Sequence, residues 1–366
     1  MANYKMNHEP VCVSDFEIFA KEHLQKDAFN YYASGANDMQ TVGESTAAFK
    51  RLRIRPRVLR NVSSIDMSTL ILGEEIKVPF FIAPTGFHKI AHPDGEIATA
   101  KASSRIGTCM TLSNFSSIRL EEVASASTGL KWFQLSVLKN RKVMESLVRR
   151  AETSGYKAIV LTVDVPTFGK RYKDFRCNFT MPTPPNLKDE FSKSTNDGEF
   201  SLDKVNGFLD PSATWDTLIP WIKSVTSLPV VVKGILTAED AKFAVTYGVN
   251  GIVVSSHGGR QLDCVPATIE VLPEIVRAVG NNIEVYLDGG VRFGSDVFKA
   301  LALGARAVFI GRPIVWGLVY QGEEGVSKVL DIYKEELKET MMLSGCANLS
   351  DVVKEMVVHE SFYRHN

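Results

Sequence analysis

An imidazole and a guanidinium stand on either side of two glycines in the segment 255–261, at His257 and Arg260. The segment follows the apolar run Gly251–Val254, which predicts a buried strand because β-branched residues dominate it. A turn after such a strand can aim both groups at one small ligand. Histidine can accept a proton near neutral pH, and arginine can hold a carboxylate through two parallel hydrogen bonds. The pair therefore predicts chemistry on the carbon beside a carboxylate.

Short apolar segments alternate with amphipathic ones between residues 79 and 320. The predicted strands are 80–83, 109–112, 132–135, 158–163, 230–233, 251–254, 284–287 and 307–310. The predicted helices between them include 95–106, 141–153, 238–247, 267–279 and 295–303. Eight strand–helix units predict an α/β fold, a (β/α)8 TIM barrel with its core at about 79–320. A doubly wound open sheet is the alternative, which the lack of GxGxxG after the first strand disfavours.

The remaining segments predict an N-terminal helical extension and a long loop. A helix is predicted at 14–32, and the basic stretch 50–57 alternates with apolar residues as in an edge strand with solvated charges, rather than a phosphate or nucleic-acid patch. A polar segment after the fourth strand predicts a lid loop at about 170–212 on the catalytic face. A helix at 324–342 is expected to close the barrel, followed by a short helix from Leu349.

The composition argues against several classes of protein. The 42 Lys and Arg residues balance the 42 Asp and Glu residues, so no global charge favours nucleic acid or an anionic membrane. Five scattered cysteines without CxxC spacing predict reduced thiols, with neither a disulfide framework nor a zinc site. No apolar run approaches the ~20 residues that span a bilayer. We therefore expect an intracellular soluble protein without a metal, a nucleic-acid partner or a membrane anchor.

Polar side chains follow every predicted strand. In barrels of this kind the carboxyl ends of the strands carry the catalytic groups. The first six ends are 84–85, 113–115, 134–136, 162–164, 233–234 and 256–257. The last two, 288–292 and 311–312, combine glycines with Arg292 and Arg312, and their backbone N–H groups predict a phosphate site. Because the chain has no GxxxxGK[ST] loop, we do not expect ATP or GTP to supply that phosphate.

Several motifs extend over nearly the whole chain. They are YYASGA at 31–36, IAPT at 82–85, LTVD at 161–164, VKG at 232–234, HGGRQLD at 257–263, LDGGVR at 287–292 and FIGRP at 309–313. Together they resemble the FMN-dependent (S)-2-hydroxy-acid oxidase family, the group of glycolate oxidases and long-chain hydroxy-acid oxidases. The resemblance implies one FMN hydroxy-acid dehydrogenase domain over 1–366, FMN as cofactor, and oxidation of a small-molecule 2-hydroxy acid with O2 reduced to hydrogen peroxide.

The same resemblance implies a homotetramer located in the peroxisome. The sequence ends in Tyr363-Arg364-His365-Asn366, which is not a Ser-Lys-Leu-type peroxisomal address. The cytosol therefore stays an alternative compartment.

The resemblance also implies a role for each polar group at the strand ends. His257 would remove a proton from the substrate, and Asp164 would orient the imidazole and stabilise its protonated form. Arg260, Arg171 and Tyr31 would bind the substrate carboxylate. The residues that would bind FMN are Ala83, Pro84, Thr85, Ser113, Gln134, Thr162, Lys233, Ser255, Asp288, Gly289, Gly290, Arg292, Gly311 and Arg312.

Three positions near the substrate depart from the family pattern. Ser136 stands where tyrosine is usual, Phe115 where glycolate-preferring members carry tryptophan, and Ser256 where asparagine is usual. The loss of the tyrosine predicts a pocket enlarged for medium-chain, long-chain or aromatic substrates. A change of this size in an apolar pocket shifts substrate preference by about 1–3 kcal/mol per group. The alternatives are a flavin-binding homologue with weak or no oxidase activity, a dehydrogenase with another electron acceptor, and a phosphate-binding barrel without flavin.

Overall fold

A closed barrel of eight parallel strands forms the centre of the protein in a computed structural model, which describes residues 9–177, 179–188, 199–200 and 202–363. The strands are β1 (Phe80–Ile82), β2 (Met110–Ser113), β3 (Lys131–Ser136), β4 (Ile159–Thr162), β5 (Val230–Ile235), β6 (Gly251–Val254), β7 (Glu284–Leu287) and β8 (Ala307–Ile310). Each strand pairs with the next, and β8 pairs with β1. The predicted TIM barrel is therefore confirmed, and the open sheet is wrong.

A helix follows each strand of the barrel. These helices are α1 (Gly95–Ile106), α2 (Leu120–Ala126), α3 (Arg141–Thr153), α4 (Trp215–Val225), α5 (Ala238–Thr246), α6 (Thr268–Val279), α7 (Gly294–Ala302) and α8 (Arg312–Ser344). In α3 the buried residues are Met144, Leu147, Val148 and Ala151, a spacing that places them on one face of the helix. The apolar face of such a helix packs on the barrel while its polar face meets solvent.

Aromatic side chains fill the interior of the barrel. Phe81, Trp132, Tyr286 and Phe309 are buried in one cluster, with ring centroids 4.0 Å apart for Phe81 and Phe309 and 5.1 Å apart for Phe81 and Trp132. Ile71 and Ile76 from the hairpin Thr69–Ile71/Glu74–Ile76 belong to the same cluster. The barrel is thus a packed core, and its side chains support the strand ends from below.

The N-terminal extension differs from its prediction. The single helix expected at 14–32 is two helices, Val13–His23 and Lys26–Ala33, separated by extended backbone at Leu24. The segment contains no glycine or proline that would predict the break. Both helices contact α8: the rings of Phe16 and Tyr320 are 5.3 Å apart, and those of Tyr32 and Trp316 are 6.1 Å apart. The second helix also stacks Tyr31 on Phe179, with ring centroids 4.6 Å apart, so the break lets the two helices pack on different neighbours. A third helix, Gln40–Arg51, follows.

The helix predicted at 324–342 is confirmed as the second part of α8. The first part of α8 begins directly after β8, and the two parts meet at Gln321 and Gly322, where the backbone leaves helical geometry. The helix expected from Leu349 is a 3-10 turn of three residues, Leu349–Asp351, and two further 3-10 turns are Lys354–Met356 and Glu360–Tyr363. The edge strand predicted within 50–57 is confirmed as Leu52–Ile54, which pairs antiparallel with Val357–His359.

The predicted lid at 170–212 contains short elements in its described part. They are the helices Tyr172–Arg176 and Leu202–Asn206, the 3-10 turn Pro185–Leu187, and the strands Met181–Pro182 and Glu199–Phe200, which pair with each other. Residues 178, 189–198 and 201 of the predicted lid lie outside the described residues. In the described ranges no helix combines the length and apolar character that a membrane crossing requires.

Candidate active site

A cavity of about 1270 Å³, including its open mouth, lies at the carboxyl ends of the barrel strands. All eight strand ends contribute to its lining. The predicted site residues that line it are Tyr31, Ala83, Pro84, Thr85, Ser113, Phe115, Gln134, Ser136, Thr162, Arg171, Lys233, His257, Arg260, Asp288, Gly289, Gly290, Arg292, Gly311 and Arg312. Asp164 and Ser255 lie behind this lining, in contact with His257 and Lys233. Ser256 is buried and does not line the cavity.

His257 and Asp164 form a hydrogen-bonded pair at the cavity wall. The imidazole Nδ1 lies 3.0 Å from Asp164 Oδ1, so we assign the Nδ1–H donor to this bond, which leaves the lone pair of Nε2 as the base. Burial lowers the pKa of His257, and the cations Lys233 and Arg171 lower it further, while Asp164 opposes them. Burial acts to raise the pKa of Asp164, but His257 and Lys233 outweigh it and lower that pKa. The pair is therefore a neutral imidazole beside a carboxylate at neutral pH.

The backbone after β6 adopts an unusual conformation that presents His257 to the cavity. His257, Gly258 and Gly259 have φ angles of 55°, 63° and 71°, a left-handed region that costs a side-chain-bearing residue such as histidine about 1–3 kcal/mol. Ser255 Oγ accepts a hydrogen bond from His257 N at 3.0 Å. The same oxygen accepts one from Lys233 Nζ at 2.9 Å, so Ser255 connects the histidine turn to β5.

A glycine allows Asp164 to approach β5. Gly234 has a φ of 115°, and a Cβ there would lie 2.6 Å from Cβ of Asp164. The register of β5 against β6 shifts between Lys233 and Ile235, which marks a bulge at this glycine. The strand predicted to end at Lys233 therefore continues to Ile235 beyond the bulge.

Lys233 and Asp288 form a buried ion pair between β5 and β7. Nζ of Lys233 lies 3.1 Å from Asp288 Oδ2, and each side chain is less than 10% exposed. Burial acts to lower the pKa of Lys233, but Asp288 and Asp164 outweigh it and raise that pKa, so the lysine is a cation. The other carboxylate oxygen, Asp288 Oδ1, is buried and finds no hydrogen-bond donor among the described residues. It is an acceptor for a ligand hydroxyl.

Three arginines gather near the glycines of the last two strands. Burial and then the neighbouring cations Arg260 and Arg292 lower the pKa of Arg312 to about 9. Arg312 donates hydrogen bonds to the carbonyl oxygens of Tyr32, Ser34 and Gly258 at 2.8–3.0 Å. Mutual repulsion of buried cations favours an anion between them.

These observations fit a phosphorylated flavin. Arg312 of the cation cluster directly follows Gly311, where an added Cβ would lie 3.7 Å from the nearest atom, Ala83 Cβ. That space allows a phosphate group to approach the N-terminus of α8. Asp288 Oδ1, which has no donor among the described residues, suits a ribityl hydroxyl, and Ser113, Gln134 and Thr162 place a bonded set of polar side chains in the same lining.

A hydrogen-bond network connects Gln134 with the unusual residue Ser136. Gln134 Nε2 donates to Ser136 Oγ at 3.2 Å and to Thr162 Oγ1 at 3.0 Å, while its Oε1 accepts from Ser113 Oγ at 3.1 Å. Ser136 Oγ in turn donates to Asn114 Oδ1 at 3.0 Å. Ser136 is therefore a satisfied polar residue of the wall, and its small volume leaves the cavity beyond it open.

The guanidiniums of Arg171 and Arg260 and several apolar side chains line the part of the cavity next to the helix Tyr172–Arg176. Arg171 lies at the start of the lid helix Tyr172–Arg176, and burial and then Arg260 lower its pKa to about 9. The guanidinium of Arg260 lies 5.1 Å from the ring centroid of Tyr31, whose hydroxyl has a pKa raised by burial. The apolar residues of this wall are Phe87, Phe115, Val165, Phe168 and Met181.

Sequence reasoning missed part of this wall and two polar residues that organise it. Asn114 stands between Ser113 and Phe115 at the end of β2, so its place at a strand end was a usable signal. Gln261 follows Arg260 directly, and its amide contacts Arg171 Nη2 and the carbonyls of Asp164 and Thr167. Phe87, Val165, Phe168 and Met181 gave no signal, because apolar loop residues are common and only tertiary packing brings these together.

The comparisons with known proteins agree with this site. The family model described as FMN-dependent dehydrogenase matches residues 20–359. The chain is 50% identical to 2-Hydroxyacid oxidase 1 of Mus musculus, over 95% of this chain and 96% of that protein. It is 51% identical to Glycolate oxidase 1 of Oryza sativa subsp. indica, over 93% and 94% of the two chains.

A solved structure of mandelate oxidase with (S)-4-hydroxymandelic acid superimposes with a TM-score of 0.89 at 39% identity, covering 94% of this chain and 98% of that one. The match of fold thus extends through the barrel and the segments that surround the cavity. By its motifs, its fold and the extent of these matches, the chain belongs to the FMN-dependent dehydrogenase family.

Proposed function

We propose that this protein is an FMN-dependent oxidase that converts (S)-2-hydroxy acids to 2-oxo acids and reduces O2 to hydrogen peroxide. The observation that carries the proposal is one cavity that joins the His257–Asp164 pair, the substrate-side residues Arg171 and Arg260, and the glycine-rich ends of β7 and β8 with Arg292 and Arg312. Its similarity to 2-Hydroxyacid oxidase 1 and Glycolate oxidase 1 supports it.

His257 acts as the base of the reaction. Its neutral imidazole accepts a proton from the substrate through Nε2, because Nδ1 is held by Asp164. The carboxylate of Asp164 then stabilises the imidazolium that forms, a contribution of the same kind as in other carboxylate–histidine pairs. Bound FMN supplies the capacity to accept the two electrons of the oxidation and to deliver them to O2.

Arg171 and Arg260 bind the substrate carboxylate, and Tyr31 adds a hydroxyl to the same group. Burial and then the like charge of Arg260 lower the pKa of Arg171 to about 9, so an anionic ligand between the two guanidiniums is favoured. Lys233 stabilises negative charge on the cofactor ring, since its own charge is maintained by Asp288. Gln134, Thr162 and Ser113 bind the polar edge of the ring, and the residues of β7 and β8 bind ribityl and phosphate.

The pocket is enlarged for medium-chain, long-chain or aromatic substrates. Ser136 replaces a bulky aromatic residue at the wall, and its hydroxyl is satisfied by Asn114, so no polar group of the substrate is required there. The facing wall is apolar, with Phe87, Phe115 and Val165. An alkyl or phenyl substituent on the hydroxyl-bearing carbon is stabilised by such a surface.

Steady-state oxidation of a graded series of (S)-2-hydroxy acids, from glycolate to 2-hydroxyoctanoate and mandelate, tests this proposal. We expect kcat/KM to rise with the size of the substituent, and one hydrogen peroxide to appear per substrate consumed. Turnover of a dye without peroxide would identify a dehydrogenase instead. A protein that binds FMN and oxidises no member of the series would contradict the oxidase function.

The proposal extends to the organisation of the protein. We infer that residues 1–366 act as a single FMN hydroxy-acid dehydrogenase domain, with O2 as the electron acceptor and a homotetramer as the assembly. The peroxisome is the compartment that the resemblance implies, and the cytosol is the alternative. Light scattering on the purified protein tests the tetramer directly.

A further inference from the structure

We propose that Asp174 is a positioning residue that holds the guanidinium of Arg171 in place for the substrate carboxylate. The inference rests on the proposed function, because it assumes that Arg171 binds that carboxylate. Asp174 lies three residues after Arg171 in the lid helix Tyr172–Arg176, and none of its side-chain surface is exposed. A buried carboxylate is costly unless it is paired, so this residue needs a partner.

The two oxygens of Asp174 face different segments of the chain. Ser34 Oγ donates a hydrogen bond to Oδ1 at 2.9 Å, from the residue that follows the helix Lys26–Ala33. Oδ2 lies 3.9 Å from Arg171 Nη1 and finds no hydrogen-bond donor among the described residues. At that distance the interaction with Arg171 is an ion pair without a hydrogen bond. Asp174 thus connects the lid arginine to the N-terminal extension that carries Tyr31.

The other contacts of the Arg171 guanidinium are long and involve neutral acceptors. Nε donates to the carbonyl of Arg260 at 3.3 Å, and Nη2 donates to Gln261 Oε1 at 3.4 Å. The side chain is 3% exposed and lies beside the like charge of Arg260. Asp174 is therefore the carboxylate that balances a cation pair with little solvent to screen it.

The backbone before Arg171 is fixed independently of Asp174. Gly169 N donates to Gln261 Oε1 at 3.2 Å, and a Cβ at Gly169 would lie 2.3 Å from the carbonyl oxygen of Arg260. Lys170 O accepts a hydrogen bond from Asn37 N at 2.8 Å. These contacts set where the chain passes, whereas the Arg171 side chain is held by its two long hydrogen bonds, by the Phe168 ring at 5.4 Å and by the charge of Asp174.

The substitution Asp174→Asn in the FMN-loaded enzyme tests the inference, because asparagine keeps the volume and the acceptor for Ser34 but removes the charge. We expect KM for the best hydroxy acid to rise about tenfold to a hundredfold, with a much smaller change in kcat. The Kd of benzoylformate, a 2-oxo acid probe, is measured from the change in flavin absorbance and should rise in parallel. FMN content and the thermal midpoint report on folding. Asp38→Asn, an exposed aspartate of the N-terminal segment, is the matched control.

Repeating the Asp174→Asn substitution in an Arg171→Lys protein distinguishes positioning of Arg171 from a general structural role. If Asp174 acts through Arg171, its replacement should cost much less in an Arg171→Lys protein than in the wild type. An equal cost in both backgrounds overturns the inference, and so does an unchanged or lower Kd for benzoylformate in Asp174→Asn.

Ser34→Ala keeps the inference testable if Asp174→Asn does not fold. It removes the donor to Oδ1, and we expect it to raise the same Kd about two- to tenfold, whereas no change overturns the inference. A wild-type enzyme that neither turns over hydroxy acids nor binds benzoylformate contradicts the proposed function instead, so the two failures are distinguishable.

Discussion

The two sides of the cavity are built in different ways. On the phosphate side, Lys233 lies on β5 while Asp288 and Gly311 directly follow β7 and β8, and this chain keeps the family pattern there. On the substrate side, Tyr31, Arg171 and Phe87 come from the N-terminal extension, the lid and a loop, and Ser136 and Phe115 depart from that pattern. Ser136 is the last residue of β3 and Phe115 lies two residues after β2, so both departures occur at strand ends and loop variability does not explain them. The two sides differ instead in the segments that position their residues: strand ends on the phosphate side, and strand ends together with the N-terminal extension and the surrounding loops on the substrate side.

The largest effect is expected at His257, which lies between the two sides. Replacing it as His257→Gln removes the base, and we expect kcat to fall about 10²–10⁴-fold while FMN remains bound. Rapid-mixing measurement of flavin reduction by the substrate checks the result. His23→Gln, at the exposed end of the helix Val13–His23, is the control. A loss smaller than tenfold would show that another group takes the proton.

The phosphate side should be sensitive to the loss of one partner of its ion pair. Lys233→Met leaves Asp288 as an uncompensated buried charge, and we expect the free energy of unfolding of the apoprotein to fall by about 3–5 kcal/mol. Urea denaturation measures it. The double variant Lys233→Met/Asp288→Leu should recover most of the loss, because both charges are gone. If the double variant is no more stable than the single one, the pair is not the cause.

A substitution that adds a large side chain on the substrate side should change substrate specificity without changing FMN binding. Ser136→Tyr restores the bulky residue, and we expect the ratio of kcat/KM for mandelate to that for glycolate to fall about 10–200-fold. Phe115→Trp provides a second change at the same wall. Retained FMN affinity would separate the two sides of the cavity, whereas loss of FMN from Ser136→Tyr would show that they are coupled through Gln134.

The smallest effect concerns pH. His257 must be neutral to accept a proton, and burial lowers its pKa from the ordinary 6.5. We therefore expect kcat/KM to be independent of pH around neutrality and to fall only when the pH drops below 6.5. Asp164 raises the pKa of His257, so Asp164→Asn should move this acid limb to lower pH. A limb that moves to higher pH would contradict the assignment of Asp164 as the partner.

Much of the barrel was predictable from local patterns. The strands Gly251–Val254, Glu284–Leu287 and Ala307–Ile310 agree with their predictions, because short β-branched or aromatic runs bounded by polar residues are buried in any parallel sheet. The break at Leu24 was not predictable in the same way, because it depends on where each helix packs against distant parts of the chain, which a local pattern does not contain. The interruption of α8 does have a local signal, since Gly322 adopts a positive φ of 55° just before the predicted helix 324–342.

The sequence by itself determined the barrel, the family and the polar groups at the strand ends, because strand periodicity and the motifs around His257 are local features. The family resemblance also implied that Asp164 orients His257, and the structure supplies the geometry, with His257 Nδ1 and Asp164 Oδ1 3.0 Å apart across the intervening strand β5. Only the folded chain shows that Asp174 of segment 170–188 lies against Ser34 of the N-terminal extension, 140 residues away in the chain. Contacts over such separations depend on closure of the barrel and on packing of the surrounding segments, and no spacing of residues encodes them.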